Sequence, residues 1–143
     1  MNEKAFTLTE LLAVIVILGV LIGIAVPTYN NQINKTRKKV YESYVSKVED
    51  AAKTFVERCI SKNVCNNKNN PNKDISFYEN NANGIKIKDL LDSGYIDKLD
   101  DPKGGSACDG TVYLSTEYHN TTYEYKYKVC LKCNNNFKSE GCD

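Results

Sequence analysis

Glu10 is the side chain whose type and position most directly suggest chemistry. It is the only charged residue of the apolar segment from Phe6 to Val26, FTLTELLAVIVILGVLIGIAV, and no charged residue follows between Leu11 and Asn34. At the helical rise the apolar segment is about 30 Å long, the thickness of the hydrocarbon core of a bilayer. A carboxylate inside such a segment costs roughly 2.5–3.5 kcal/mol on insertion scales. We therefore expect Glu10 to act where a cation compensates its charge.

Several interpretations of this apolar segment are open. It could be a simple single-span anchor in which Glu10 lies near the headgroups without a role. It could be a secretory signal cleaved after Ala25, because Gly23-Ile24-Ala25 has the small-x-small form that signal peptidase accepts. Against that interpretation, Glu3 and Glu10 leave the n-region without net positive charge. A further interpretation depends on the residues that precede the segment.

Met1–Ala5 form a very short leader, which is followed by Phe-Thr-Leu-Thr-Glu and the apolar run. This arrangement resembles the N-terminus of type IV prepilins and pseudopilins. The resemblance is close from Lys4 to about Tyr29. It implies that a dedicated peptidase cleaves between Ala5 and Phe6 and that the new amine of Phe6 is methylated. The chain departs from the family at Ala5, where Gly is usual.

The resemblance also gives Glu10 a partner. Cleavage before Phe6 would create an ammonium group at the membrane end of the helix, the new charge able to compensate a desolvated carboxylate. A subunit entering a helical stack could present Glu10 to the Phe6 amine of the subunit already in place. Head-to-tail contacts that do not close into a ring generate filaments. The predicted function is therefore that of a structural filament subunit, and not of an enzyme.

The partners follow from the same resemblance. They are further copies of the chain in a helical homo-polymer, minor pilins, a prepilin peptidase/methyltransferase, an inner-membrane assembly platform with its ATPase motor, and membrane lipid before assembly. DNA or a host surface is a further possible partner. The family alternatives are a pilus subunit or a pseudopilin of a secretion or competence system. The alternative from another class is a disulfide-rich binding domain secreted after cleavage behind Ala25.

One helix is predicted from Phe6 to about Cys59. Its second half carries an apolar stripe at spacings of mostly three, four or seven, so one face needs a covering surface. A kink is expected at Pro27, which removes a helix hydrogen bond. Gly19 and Gly23 form a Gly-x-x-x-Gly pair that would let another helix approach closely.

The rest of the chain is predicted to form a small α+β domain. An Asn-rich stretch from Ser61 to Gly84 is predicted to be an exposed loop, and Ile87–Ser93 a short helix stopped by Gly94. Thr111–Tyr118 and Thr121–Leu131 alternate as strands of a hairpin. The expected fold, which the resemblance also implies, is type IV pilin-like, with a long helix packed on a small antiparallel sheet. The divisions are leader 1–5, assembly helix 6–27, amphipathic helix 28–60 and loop with sheet 61–143, with 28–143 forming the soluble domain.

Six cysteines clustered outside the span indicate an oxidising, extracytoplasmic compartment. Fifteen complete pairings are possible, so the sequence does not determine the connectivity. The expected bridges are Cys59–Cys65, Cys108–Cys130 and Cys133–Cys142, the last of which would pin a tail resembling the disulfide-bounded C-terminal region of many pilins. The alternative is a zinc site that uses Cys130-x-x-Cys133 and two other cysteines.

Other chemistry has little support. The single histidine, His119, has no metal-binding partner at helical spacing, and no phosphate loop or nucleophile–base pair is evident. Asp97, Asp100 and Asp101 could bind calcium, but their spacing fits no EF-hand and a solvated turn is favoured. We therefore expect no cofactor and no metal. The formal charge of +1 indicates neither a strongly basic nucleic-acid binder nor an acidic tail.

The orientation signals of the chain disagree. Four basic residues follow the span and only Lys4 precedes it, which by the positive-inside rule would place the C-terminal domain in the cytoplasm. The cysteines and the resemblance indicate the opposite orientation, which we adopt. The chain is expected to be a single-pass membrane protein with an extracytoplasmic C-terminal domain, and then to become part of an extracellular filament. The basic residues are Lys35, Arg37, Lys38 and Lys39, and they would meet the outer headgroups, acidic groups of a neighbouring subunit, or solvent.

Overall fold

The chain folds as a long N-terminal helix and a small antiparallel sheet. The structure, a computed structural model, describes residues 7–65, 67–79, 83–119, 122–134, 137–140 and 142, without the side chains of 25–28 and 119. In chain order the elements are α1 (Leu8–Lys62), α2 (Ile75–Glu79), β1 (Ile85–Lys86), α3 (Ile87–Asp92), β2 (Asp109–His119), β3 (Thr122–Asn134) and β4 (Phe137–Lys138). The predicted α+β fold class is confirmed.

The chain divides into two compact units, Met1–Arg37 and Lys38–Asp143. The described part of the first unit is the N-terminal part of α1, whose large apolar side chains from Leu8 to Ile24 are 47–81% exposed. By length and composition this helix could cross a membrane. No bend is assigned to Pro27, so the kink expected there stays a prediction.

The core of the second unit lies between α1 and the sheet. The predicted apolar stripe of α1 is confirmed, since Val48, Ala52 and Phe55 are 0–1% exposed. The sheet has the order β1-β2-β3-β4 with antiparallel neighbours, and Val112 pairs with Val129 at its centre. Because side chains alternate across a strand, Val112 and Leu114 of β2 and Val129 and Leu131 of β3 share the face that is buried in this core.

The predicted hairpin and short helix are also present. β2 pairs with β3 from Asp109 opposite Lys132 to His119 opposite Thr122. The sheet has two further strands, β1 at Ile85–Lys86 and β4 at Phe137–Lys138. Gly94 follows α3 with a φ of +76°, a backbone conformation that glycine adopts without steric cost.

The Asn-rich segment is more ordered than a simple exposed loop. It contains the one-turn helix α2, and Cys65 pairs with Lys73 in an isolated antiparallel bridge. Asn67 and Tyr78 are buried, with exposed fractions of 2% and 1%. Periodicity did not indicate this structure because a disulfide, side-chain hydrogen bonds and a few apolar contacts hold the segment, without a sustained apolar stripe.

The disulfide pairing differs from the expected one. Cys59 is bonded to Cys65, as expected. The other two expected bridges, Cys108–Cys130 and Cys133–Cys142, are wrong, since the structure has Cys108–Cys133 and Cys130–Cys142. With both Cys130 and Cys133 in disulfides, the zinc alternative has lost two of its thiolate ligands.

Strand register explains the correction. Asp109 pairs with Lys132 and Thr111 with Cys130, so continuation of the register by one residue places Cys108 opposite Cys133. Cys108 and Cys133 are both buried on the core face. Cys130 faces away from the core, where the C-terminal tail with Cys142 can reach it.

Candidate assembly site

The N-terminus of α1 is held by reciprocal hydrogen bonds between Thr7 and Glu10. The Thr7 N–H donates to Glu10 Oε2 at 2.9 Å, and the Thr7 hydroxyl donates to the same oxygen at 2.8 Å. The Glu10 N–H lies 3.4 Å from Thr7 Oγ1. This is a capping box, in which residues at the N-cap and N3 positions satisfy each other's backbone N–H groups. Thr-Leu-Thr-Glu is its sequence signature, which our prediction for Glu10 did not use.

The capping box gives Glu10 a role within its own subunit. The carboxylate lies in the first turn, where the positive end of the helix dipole also stabilises a negative charge. Glu10 accepts both of its hydrogen bonds from Thr7 through Oε2, and no hydrogen bond from the described residues reaches its other oxygen, Oε1. Ala5 and Phe6, the predicted cleavage site and future N-terminal amine, lie outside the described residues. The carboxylate can therefore cap its own helix and still present an oxygen to another cation.

Gly19 and Gly23, the pair predicted to let another helix approach closely, have open space around them. A Cβ added to Gly19 or Gly23 would meet no atom within 4 Å among the described residues. Neither glycine is therefore needed for packing within the described part of the subunit. Any requirement for them must come from a contact with lipid or with another chain. Pro27 lies inside α1, and its side chain is outside what the structure describes.

Two of the three acidic residues considered for calcium, Asp100 and Asp101, have other partners. Asp101 is buried, accepts the Lys103 N–H at 2.8 Å and is contacted by the Asn134 side-chain amide. Asp100 forms an ion pair with Lys98 at 2.9 Å. Among the described residues there is no group of three or more potential histidine, cysteine or acidic metal ligands. Asp100 and Asp101 are therefore engaged in local contacts of the fold.

A buried polar cluster was missed by sequence analysis. The Asn67 side-chain amide donates to the Tyr78 hydroxyl at 2.8 Å and to Asp89 Oδ2 at 3.0 Å. Asn69 bridges Asp89 Oδ1, at 2.7 Å, and Asp92 Oδ2, at 3.1 Å. Burial, together with the nearby charge of Asp89, raises the pKa of Tyr78, although its hydrogen bond with Asn67 acts in the opposite direction. The cluster fastens the Asn-rich segment to α3.

The C-terminal tail is fastened to α1 through Tyr41. Its hydroxyl lies 2.7 Å from the Leu131 carbonyl, to which it donates, and 3.0 Å from Ser139 Oγ. The Tyr41 ring stacks on Phe137 with centroids 5.6 Å apart. Together with the Cys130–Cys142 bridge, these contacts hold the tail against the sheet and α1.

The first 26 residues match a family model described as the prokaryotic N-terminal methylation motif. The chain carries the type IV pilin and pseudopilin signature. No curated protein and no solved structure matches the chain. The pilin signature and the fold therefore have independent support, since the match covers residues 1–26 whereas the sheet and the disulfides lie beyond residue 58.

In a chain with the pilin signature, the motif implies processing by a prepilin peptidase and indicates a structural subunit. The matched residues include the proposed cleavage site, Thr7, Glu10 and both glycines of the exposed face. The capping box and the glycine face therefore belong to the same segment as the processing motif. This segment is the candidate assembly site.

Proposed function

We propose that this chain is a structural subunit of a type IV pilus or pilus-like filament. The observation that carries the proposal is the coincidence of the methylation motif with a helix whose apolar side chains from Leu8 to Ile24 are exposed. Exposed apolar surface of this extent is unfavourable in water and needs lipid or other protein. Before assembly the helix lies in the membrane, and after assembly it packs against the same helix of neighbouring subunits.

Processing supplies the charge that assembly uses. Cleavage between Ala5 and Phe6 creates an ammonium group, and methylation converts this primary amine into a secondary amine that is still positively charged at neutral pH. In Glu10, Oε2 accepts the Thr7 capping contacts, and no hydrogen bond from the described residues reaches the other carboxylate oxygen, Oε1. Glu10 then pairs with the Phe6 amine of an adjacent subunit. Because each subunit has one amine and one carboxylate, this pairing repeats along the axis without closing.

The mature N-terminus is the first experiment. Mass spectrometry of the protein from its native membrane should find a chain that begins with N-methylated Phe6. A chain that begins at Val26 would contradict the proposal, because it would lack the assembly segment and correspond to the secreted binding domain. A chain that retains Met1 would show that Ala5 does not serve in place of the usual Gly.

Assembly is tested separately from processing. Glu10→Ala should leave cleavage and membrane insertion intact and abolish incorporation into filaments. Filament incorporation is measured by shearing the cells and comparing the sheared and membrane fractions by immunoblot. Normal filament yield from Glu10→Ala would contradict the assembly mechanism.

The closest competing function is that of a pseudopilin in a type II secretion or competence DNA-uptake system. The methylation motif supports this function equally, since it marks both kinds of subunit. The two are distinguished by deletion of the gene. Loss of a long surface filament indicates a pilus subunit, and loss of secretion or DNA uptake without loss of a surface filament indicates a pseudopilin.

A further inference from the structure

The charge-free part of α1 has a length that matches a bilayer with part of its headgroup layers. No charged residue lies between Leu11 and Asn34, and these 24 residues belong to one helix. At the helical rise they span about 36 Å, compared with about 30 Å for a hydrocarbon core and about 40–45 Å for a whole bilayer. With Glu10 at one interface, Lys35 therefore falls at the level of the opposite headgroups.

Four cationic residues begin at this level, and we name them the basic collar. They are Lys35, Arg37, Lys38 and Lys39. The three lysines are exposed and Arg37 is half-exposed. Among the residues that the structure describes, no ion pair is formed by any member of the collar, whereas Lys53, Lys98 and Lys126 all form one. The first acidic residue after the collar is Glu42.

We propose that the basic collar binds the headgroups of anionic lipids and thereby sets the depth of the unassembled subunit in the membrane. This inference rests on the proposed membrane-anchored pilin, whose span places the collar beside the headgroups. Basic residues next to a span are attracted to an anionic surface over about one Debye length, which is about 10 Å at 0.1 M salt. Charge complementarity favours anionic lipid, because the collar carries four positive charges and none of them forms an ion pair among the described residues.

The collar also accounts for the disagreement between the orientation signals. Its charges would meet anionic headgroups at whichever surface they reach, so they need not lie in the cytoplasm to be stabilised. Contact with the outer leaflet leaves the disulfide-bonded domain on the oxidising side. Release of these lipid contacts is then a step that the subunit must complete when it leaves the membrane for the filament.

The experiment uses a depth reporter in the full mature chain. The protein contains no tryptophan, and Tyr29 is 66% exposed between the apolar run and the collar, so Tyr29→Trp introduces a single indole reporter. The chain is reconstituted in vesicles of phosphatidylcholine and in vesicles of an equal mixture of phosphatidylcholine and phosphatidylglycerol. Quenching by lipids brominated at different acyl positions reports the depth of the indole.

Anionic lipid should draw the collar to the surface and move the indole toward the bilayer centre. The expected shift is up to about 3 Å, half of the difference between the charge-free length and the hydrocarbon thickness. The shift should disappear at about 1 M salt, where the Debye length is about 3 Å. A variant in which the whole collar is replaced should not show the shift. This variant combines Lys35→Gln, Arg37→Gln, Lys38→Gln and Lys39→Gln.

A matched variant removes the same charge elsewhere. It combines Lys62→Gln, Lys86→Gln, Lys88→Gln and Lys103→Gln, all at exposed positions. This variant should retain the lipid-dependent shift. The inference would be overturned if the indole lay at the same depth in both lipids, or if the collar variant showed the same shift as the parent chain. Either result is expected if the collar instead meets acidic groups of a second copy. An indole that no brominated lipid quenches would show that the span does not insert, which would contradict the proposed function as well.

Discussion

Glu10 Oε2 accepts hydrogen bonds from both the backbone N–H and the hydroxyl of Thr7, at 2.9 Å and 2.8 Å. The carboxylate proposed to bind a neighbour's amine is thus already the N3 residue of a capping box in its own helix. Its two roles depend on different properties. Capping needs an acceptor oxygen, whereas pairing with an ammonium group in a membrane needs the negative charge.

Glu10→Gln separates these two roles. The amide oxygen of Gln can still cap the helix, so we expect normal helix content and membrane insertion, but the lost charge should reduce filament yield nearly as much as Glu10→Ala. Filament yield is measured in the sheared fraction, and helix content by circular dichroism in detergent. Thr7→Ala is the companion variant, since it removes the hydroxyl contact and retains the carboxylate. A Glu10→Gln variant with normal filaments would assign Glu10 to capping alone.

The glycine face should matter only in the assembled state. Gly19→Leu combined with Gly23→Leu adds side chains into space that is open in the described subunit, so stability and insertion should be unchanged. If helices approach closely at this face in the filament, the yield of filaments should fall, and it should fall less for the smaller Gly19→Ala and Gly23→Ala pair. Electron microscopy of sheared material measures the effect. Equal yields for the leucine pair and the parent chain would remove this face from the assembly contact.

The cysteine pairing predicts the thiol content of a double variant. Cys108→Ser with Cys133→Ser removes one bridge and should leave no free thiol, because the Cys130–Cys142 and Cys59–Cys65 bridges remain. The pairing expected from the sequence would instead leave Cys130 and Cys142 as free thiols. Alkylation followed by mass spectrometry under non-reducing conditions distinguishes these outcomes. The variant should also lose about 2–4 kcal/mol of stability, the usual contribution of a disulfide.

Replacing Asn67 should lower the free energy of unfolding more than replacing any other asparagine of the Asn-rich segment. It is 2% exposed and donates to Tyr78 and Asp89. Asn67→Ala leaves buried acceptors without their donor, so we expect the free energy of unfolding to fall by about 1–3 kcal/mol. Asn69→Ala, at an exposed residue, is the comparison and should cost less. Urea denaturation measures both, and an equal loss in the two variants would contradict the special role of Asn67.

Tyr125 should make stability fall at high pH. Burial, and then its hydrogen bond to Glu79 at 2.7 Å, raise the pKa of Tyr125 to about 12 from an ordinary value of 10.0. The folded state holds this proton more tightly than the unfolded state, so the stabilisation is complete below pH 10 and is lost as the pH rises toward 12. Tyr125→Phe should therefore show a shallower decline in unfolding free energy over this range. An identical decline in both proteins would contradict the assignment.

The sequence alone determined the helix, the hairpin and the apolar N-terminal segment. Each depends on a local pattern, such as the period of the apolar stripe around Val48 and Phe55 or the alternation through Val129. The processing motif is also local, since it consists of consecutive residues around Phe6. Local patterns survive as sequence signals because the residues that define them are neighbours along one helix or strand.

The tertiary structure decided the features that join distant segments. Cys108 meets Cys133 because the register of β2 on β3 places them opposite each other on the buried face, a relationship that cysteine spacing does not contain. The alternation of β3 could have predicted part of this pairing, because it places Cys130 on the opposite face of the strand from the core. Asn67 is buried because Tyr78 and Asp89, 11 and 22 residues away along the chain, come together around it. Hydrogen bonds between segments leave no period in the sequence, and for that reason only the folded chain reveals them.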